Sequence, residues 1–302
     1  MNTKLILFII LIFLLVYIII YKQYEKYEKR KKYAICLWGE LRGVESTHAS
    51  FNEFLVKPLD ADVYVLVQRT SEESDKILDM FDEPHVKYKR LYDKPTVEEY
   101  FSSKFSDYKH IDGNWKWDSN IQQYINFNEM AKTFGDKLQE YDYIIMIRSD
   151  FLFLFDFPDI LSLTNETSDK FWCYDGHSYS GINYTMMTVP STVIMKYLTS
   201  PYNYIMNGNV HEMSTYGDPN CERFLGFIFK KENWNLGYIE NNAFLSANST
   251  NERTNTASIK YDEKRNVHYK YSEQLENSYN AMESWKINRT WVLNGNKIEV
   301  KK

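Results

Sequence analysis

Tyr141 to Leu154, read YDYIIMIRSDFLFL, constrain the fold more than any other stretch of the chain. The apolar run Ile144–Ile147 has strand propensity, stops at Arg148-Ser149-Asp150, and then turns apolar again. A continuous apolar run of this length fits a strand buried on both faces, as in the middle of a parallel sheet. Ligands of open α/β sheets bind just beyond the carboxyl ends of such strands. An arginine and a carboxylate at that end are suited to face a diphosphate and its metal ion. That chemistry points to an enzyme handling an activated sugar nucleotide.

The N-terminus carries a separate instruction. Leu5 to Tyr21 is almost wholly apolar, about the length needed to cross a bilayer. It passes straight into YKQYEKYEKRKK with no small-residue cleavage pattern. Residues 1–22 therefore read as a retained single-pass anchor, 23–32 as a basic stalk, and 33–302 as the domain it tethers. Six cations between Lys22 and Lys32 follow the span and only Lys4 precedes it, a bias that favours a cytoplasmic domain. A lumenal orientation is the alternative, since Asn165, Asn183, Asn248 and Asn288 head N-x-Ser/Thr sequons.

Residues 1–32 hold seven of the 36 basic and two of the 41 acidic side chains, which leaves the rest at a net −10. An acidic globule is a poor general binder of nucleic acid, whose affinity comes largely from Lys and Arg on phosphates. Cys36, Cys173 and Cys221 are far apart and odd in number, without zinc spacing. Disulfide-stapled folds and structural zinc sites are thereby disfavoured.

The order of segments predicts an α/β fold with a mainly parallel central sheet. Strands are expected at Tyr33–Trp38, Ala61–Gln68, Val86–Tyr92 and Tyr143–Ile147. Helices are expected at Val44–Leu55, Thr96–Phe101 and Gln122–Tyr141, the last with Phe127, Met130, Ala131, Phe134 and Leu138 at helical spacing. Strand alternating with helix is the pattern of a sheet covered on both faces. Further strands are expected at Phe171–Tyr174, Thr185–Val189 and Trp234–Ile239, and helices at Pro190–Leu198 and Asn220–Lys230. From Asn241 to Lys260 the chain reads as a loop, opening an irregular C-terminal extension whose strand-like WVL and IEV pieces have no assigned place.

Glycosyl transfer from a nucleotide sugar must stabilise a departing diphosphate, with a divalent cation, with Arg or Lys, or with both. Asp150 is the candidate ligand for Mn2+ or Mg2+, and Arg148 a two-pronged contact for phosphate or a neighbouring carboxylate. The alternative is that Asp150 caps a turn and Arg148 pairs on the surface. Trp38-Gly39-Glu40-Leu41-Arg42-Gly43 follows the first strand, where nucleotide-binding turns fall. Gly39 permits close backbone approach and Arg42 can reach phosphate. The segment lacks a full GxGxxG.

AICLWGELRG, followed by a helix and DADVYVLVQ, resembles the opening of many glycosyltransferases, in which a hydrophobic strand ends in Ser-Gly-Gln-x-Arg. Those proteins also carry a Tyr-Asp-x-x-hydrophobic-x-Arg-x-Asp strand, matched here by Tyr141, Asp142, Arg148 and Asp150. The pair of motifs resembles WavE-like lipopolysaccharide-synthesis proteins and related viral transferases of the GT-A fold, over roughly residues 33–240. The resemblance implies a Rossmann-like sheet, a nucleotide-diphosphate sugar as donor, and an Asp-x-Asp role carried by Arg148-Ser149-Asp150. Trp38 and Glu40 stand where serine and glutamine are commoner, and Arg148 where the first acid would be.

On the acceptor side, Glu222 and then Asp218 are the candidate bases, because a base needs a carboxylate within reach of the acceptor hydroxyl. The competing reading makes Asp218 or Asn220 a helix cap and Glu222 a complement to the helix dipole. Asp175 is a further acid placed to contact sugar. His177, His211 and His268 are considered as metal ligands near Asp150. There is no P-loop and no GxSxG elbow. The expectation is a membrane-anchored glycosyltransferase acting on a glycan or lipid-linked acceptor. A non-catalytic tethered carbohydrate-binding protein and a nucleotidyltransferase are the rivals.

Overall fold

The computed structural model describes residues 10–19, 21, 32–69, 71–82, 84–102, 117–163, 169–176, 178, 180–209, 212, 220–247, 259–263 and 266–299. Strands β1 (Tyr33–Glu40), β2 (Asp62–Gln68) and β4 (Tyr143–Arg148) are buried along nearly all their length. β1 pairs in parallel with β2 on one side and β4 on the other, and β3 (Val86–Tyr92) adds in parallel to β2. Their side chains alternate between two cores, as a period of two requires. Ala34, Cys36, Trp38, Tyr64, Leu66, Ile144 and Met146 enter one; Ile35, Leu37, Val63, Val65, Val67, Ile145 and Ile147 enter the other. The continuous apolar runs exist because both faces must be filled.

Helices cover both faces. α1 (Val44–Phe51) follows β1 and runs on into a π-helical turn at Asn52–Val56, so the helix expected to Leu55 is broken in type but not in place. α2 (Val97–Phe101) starts from a capping box in which Thr96 and Glu99 satisfy each other's backbone N–H. α3 (Trp117–Leu138) and α4 (Ile194–Met206) bring Phe127, Met130, Tyr197 and Leu198 into the first core. α5 (Cys221–Glu232) adds Phe224, Leu225 and Ile228 to it.

Past β4 the sheet turns mixed. β7 (Met186–Pro190) lies antiparallel to β4, β6 (Phe171–Tyr174) antiparallel to β7, and β8 (Leu236–Ile239) parallel to β6. The hairpin β12 (Thr290–Leu293) and β13 (Asn296–Glu299) closes the edge, giving the order β13-β12-β8-β6-β7-β4-β1-β2-β3. Two reversals separate β6 from β4, so β6 and β8 run in the same direction as β1 and β4. The carboxyl ends of all four therefore share one edge of the sheet.

The stretch from 241, expected as loop and irregular extension, is ordered where it is described. β9 (Ala243–Ala247) pairs with β5 (Phe151–Phe153) and with β11 (Val267–Tyr269), which pairs with β10 (Lys260–Asp262), in a second sheet ordered β10-β11-β9-β5. α6 (Ser272–Asn288) packs on it: Ser278 Oγ donates to the Ala243 carbonyl at 2.8 Å, and Leu245 N–H to Gln274 Oε1 at 3.0 Å. Those contacts explain why the helix escaped a periodicity reading. Gln274 and Ser278 occupy buried positions that an apolar stripe would normally fill. The WVL piece and Ile298–Glu299 of the IEV piece belong to the edge hairpin, with Trp291 stacked on Phe155 at 5.1 Å between centroids.

Of the apolar run at the N-terminus, Ile10–Ile19 is helical with exposed side chains, and the rest of the expected anchor and the stalk to Lys31 lie, Tyr21 apart, outside the described residues. Among the described residues, no helix is long and apolar enough to cross a membrane. Asn183, which heads one sequon, is only 3% exposed; its amide donates to the Gly176 carbonyl and accepts from Thr185, so it offers no acceptor nitrogen in the folded chain.

Candidate functional site

The two motif segments meet at the carboxyl edge of β1 and β4, and a serine hydroxyl joins them. Ser149 Oγ accepts from the Arg42 backbone N–H at 3.1 Å and donates to the Glu40 carbonyl at 3.0 Å. Thr47 at the start of α1 adds a third tie, donating to the Ser149 carbonyl at 2.8 Å. The middle residue of RSD is thus the clamp that holds the WGELRG turn.

An open cleft of about 220 Å³ lies there, walled by Trp38, Gly39, Glu40 and Arg42 from the first segment and by Arg148 from the second. Lys94, Gln68, Gln122, Gln123, Asn126 and Tyr184 complete it. Its charge is cationic: Arg42, Lys94 and Arg148 against Glu40. Arg42 and Lys94 both pair with the Glu40 carboxylate, Lys94 at 3.2 Å. Burial alone would raise the Glu40 carboxyl, but the Arg42 guanidinium and the Lys94 ammonium bring it below the ordinary range. The glutamate at this position keeps two cations side by side and offsets only one of their two charges. Gly39 has φ +92° with open space where a side chain would stand, so the backbone itself is presented to the cleft.

Three buried donors in the wall have no hydrogen-bond partner among the described residues. Trp38 Nε1, Gln122 Nε2 and Gln123 Nε2 make no hydrogen bond, although Trp38 is 4% and both glutamines 5% exposed. Their neighbours are satisfied: Gln68 donates to the Tyr92 hydroxyl at 3.2 Å, and Tyr92 in turn donates to Asn126. Leaving a buried donor unpaired costs about 1–3 kcal/mol. Such groups beside an open cleft are matched by water or by a ligand's acceptors.

Asp150 stands behind this wall rather than in it. It is 1% exposed; Arg148 grips it through Nε at 2.9 Å and Nη2 at 2.5 Å, and Lys270 Nζ lies 3.0 Å away. Burial raises the carboxyl, but Arg148 and Lys270 overcome that and hold it down at about 2. Its backbone carbonyl is also engaged, by Ser246 N–H at 2.8 Å. Both carboxylate oxygens are committed to cations, so the residue does not fit the role of ligand for Mn2+ or Mg2+. Among the described residues no group of three His, Cys, Asp or Glu is placed to hold a metal ion. Arg148, 23% exposed, is the member of the tripeptide that reaches the cleft.

The acceptor-side candidates part company. Glu222 sits in the first turn of α5, where Asn220 Oδ1 caps the Arg223 N–H at 2.7 Å as the structural alternative expected. It does not wall the cleft but lies one side chain behind it. Cys221 Sγ is 3.1 Å from Glu222 Oε2 and also bonds Tyr184, which does line the cleft and feels both Glu222 and Arg148. Burial raises the Glu222 carboxyl above its ordinary value, the direction a proton acceptor near neutrality needs. Burial pushes the Cys221 thiol up to about 12, so it is no nucleophile. Asp218, His177 and His211 lie outside the described residues. His268 packs its ring 4.9 Å from Tyr261 in the second sheet. Asp175 lines a different cleft on the same edge.

Gly181 sets how closely α5 approaches. A Cβ built there would lie 2.0 Å from the Glu222 carbonyl carbon, and Ile182 N–H bonds the Glu222 carbonyl at 2.9 Å. Gly181→Ala is expected to cost about 1–3 kcal/mol by forcing the backbones apart, read as a lower midpoint in urea unfolding. An unchanged midpoint would show that the helix start gives way freely.

Sequence reasoning missed Lys270, Lys94, Ser149 and Gln122. Lys94 and Gln122 are unremarkable in sequence, and Lys270 sits 120 residues from the carboxylate it pairs with. Ser149 alone carried a signal, as the residue between two singled-out charges.

No protein-family model matches the chain, and no curated protein does. Solved structures that align include mouse xyloside xylosyltransferase 1 in its apo form, at 8% identity and a TM-score of 0.41, over 69% of this chain and 85% of that one. Another is the apo glycosyltransferase GlyE of Streptococcus pneumoniae TIGR4, at 12% identity and a TM-score of 0.38, over 69% of this chain and 45% of that one. At these scores neither likeness carries an argument about this chain.

Proposed function

We propose that the chain is a glycosyltransferase that takes a sugar from a nucleotide-diphosphate donor, with its diphosphate held by side-chain cations. The observation that carries the reading is the convergence of Arg42, Lys94 and Arg148 on one cleft at the carboxyl ends of β1 and β4. Fixed cations aimed at a departing diphosphate stabilise the charge that develops as the glycosidic bond breaks. Trp38 Nε1 and Gln122 Nε2 supply neutral donors for acceptor atoms of the donor molecule. Ordinary ligand sites run to roughly 300–1,000 Å³, so a nucleotide sugar would fill this cleft and extend along the sheet edge. The resemblance of the two motif segments to WavE-like and viral transferases supports the same reading. The apolar run Leu5–Tyr21 would tether the domain near a glycan or lipid-linked acceptor and raise its effective concentration.

Incubating the purified chain with UDP-, GDP-, CMP- and dTDP-sugars tests the proposal. Release of nucleoside diphosphate from one donor, unaffected by EDTA, is the expected result. Release of sugar 1-phosphate, by cleavage of the phosphoanhydride rather than the glycosidic bond, would instead mark a nucleotidyltransferase. Binding of glycans with no turnover of any donor would mark a non-catalytic protein.

Glu222 is the proposed base, receiving the acceptor proton by relay: the Tyr184 hydroxyl takes it and passes its own to Cys221 Sγ, whose proton goes to Glu222 Oε2. The acid limb of the pH–rate profile is expected above the usual glutamate range, because burial raises this carboxyl and its deprotonated form is the active one. Glu222→Gln should remove that limb together with most of the rate. An acid limb that persists unchanged in the variant would assign it to another group.

A further inference from the structure

We infer that the chain has a second binding site, for an uncharged saccharide, in the cleft between the carboxyl ends of β6 and β8 and helix α6. The inference deepens the transfer reading by locating an acceptor, and rests on that reading for the acceptor role though not for the binding. The cleft has a volume of about 490 Å³, within the range of ordinary ligand sites. Asp175 enters it from the end of β6, Glu240 and Asn241 from the end of β8, and Glu273 and Asn277 from α6.

Asn241 is the decisive group. It is 4% exposed, and its Nδ2 donates to the Asp175 carbonyl at 3.1 Å, yet its Oδ1 has no hydrogen-bond partner. A buried amide oxygen of this kind takes its donor from water or from a ligand. The surrounding acids repel phosphate, and among the described residues no lysine or arginine lines the cleft. A metal ion is equally unsupported, since no group of three His, Cys, Asp or Glu there is placed to hold one.

Two ligand classes meet the acceptors: an organic cation and a polyhydroxylated neutral molecule. The amides of Asn277 and Asn280 choose between them. Each offers N–H donors as well as an acceptor, and an ammonium has nothing to accept with, whereas a hydroxyl both donates and accepts. Tyr238 adds a ring 40% exposed on the cleft wall, fit to cover the C–H face of a pyranose. Position on the fold agrees. The cleft lies two to three strand spacings along the edge from Arg148, roughly 10–14 Å at about 4.8 Å per strand, a distance that a short oligosaccharide spans.

The test uses the purified full chain without nucleotide, titrated calorimetrically with a panel of neutral oligosaccharides and with spermine as the cationic comparison. A neutral saccharide is expected to bind, and Glu273→Gln and Asn277→Ala, both on the exposed side of α6, to weaken it at least tenfold. Binding of no saccharide, binding of spermine alone, or affinity unchanged in both variants would overturn the inference. Donor hydrolysis by the unaltered chain, measured separately, tells the two failures apart. Hydrolysis without saccharide binding removes the second site and leaves the transfer reading standing. Saccharide binding weakened by both variants without hydrolysis of any donor supports the site and removes the transfer reading.

Discussion

Arg148→Ala is expected to lower kcat/KM for the nucleotide-sugar donor by at least about 100-fold, equivalent to roughly 2.7 kcal/mol of lost transition-state stabilisation. Arg148 ends β4, directly precedes the Ser149 clamp, and has its Nε and Nη2 edge fixed by Asp150. A guanidinium held this way loses little freedom when it meets phosphate, which is why its removal should be felt in the rate. Arg148→Lys should recover only part of the loss, since an ammonium keeps the charge but cannot hold Asp150 with two parallel bonds and still present a donor surface. Arg42→Ala should cost less, because Arg42 is 41% exposed and shares its charge with Glu40. Nucleoside diphosphate release against donor concentration gives each value. A rate within a few-fold of the parent chain for Arg148→Ala, with folding intact, would end the proposal that this cleft handles the diphosphate.

Asp150→Asn should be strongly destabilising, by about 3–5 kcal/mol, because it leaves the buried Lys270 and the partly buried Arg148 facing each other without their counter-charge. For a chain of this size that is a drop in Tm of roughly 10 °C. The pH dependence has a definite sign. The carboxyl is held at about 2 in the folded chain, below its unfolded value of about 3.9. Its contribution is therefore fully present above about pH 4 and is lost as pH falls toward 2. Melting curves between pH 7 and pH 2.5 should show that loss in the parent chain and its absence in Asp150→Asn. A variant as stable as the parent at pH 7 would mean that Lys270 and Arg148 find other partners when the charge is gone.

The fate of Asp150 shows where sequence reading stops. The RSD tripeptide was legible as the end of a buried strand, and its proximity to the WGELRG turn followed from both being carboxyl ends of strands expected to be parallel. The role within it was not legible. A carboxylate after a strand reads as a metal ligand, and nothing local reveals that Lys270 closes its second oxygen. Asp175 shows the same limit: it lies on the expected edge but two strands from β4, in a cleft of its own. The stretch from 241 onward is illegible for another reason. Gln274 and Ser278 replace apolar side chains on the buried face of α6 and bond β9 directly, so the helical period that marks α3 is missing there.

What the sequence determines by itself is the set of buried strands and their alternation with helices. Continuous apolar runs such as ICLW, VYVLV and IIMI can be satisfied only by a strand covered on both faces, and that demand is met between near neighbours. The tertiary structure alone decides which charges end up as partners and which face a cleft. Ion pairing in a low-dielectric interior depends on groups brought together from 120 residues apart, and a single lysine leaves no periodic trace along the chain. The strands were written locally; the electrostatics of the site were settled only when the second sheet closed against the first.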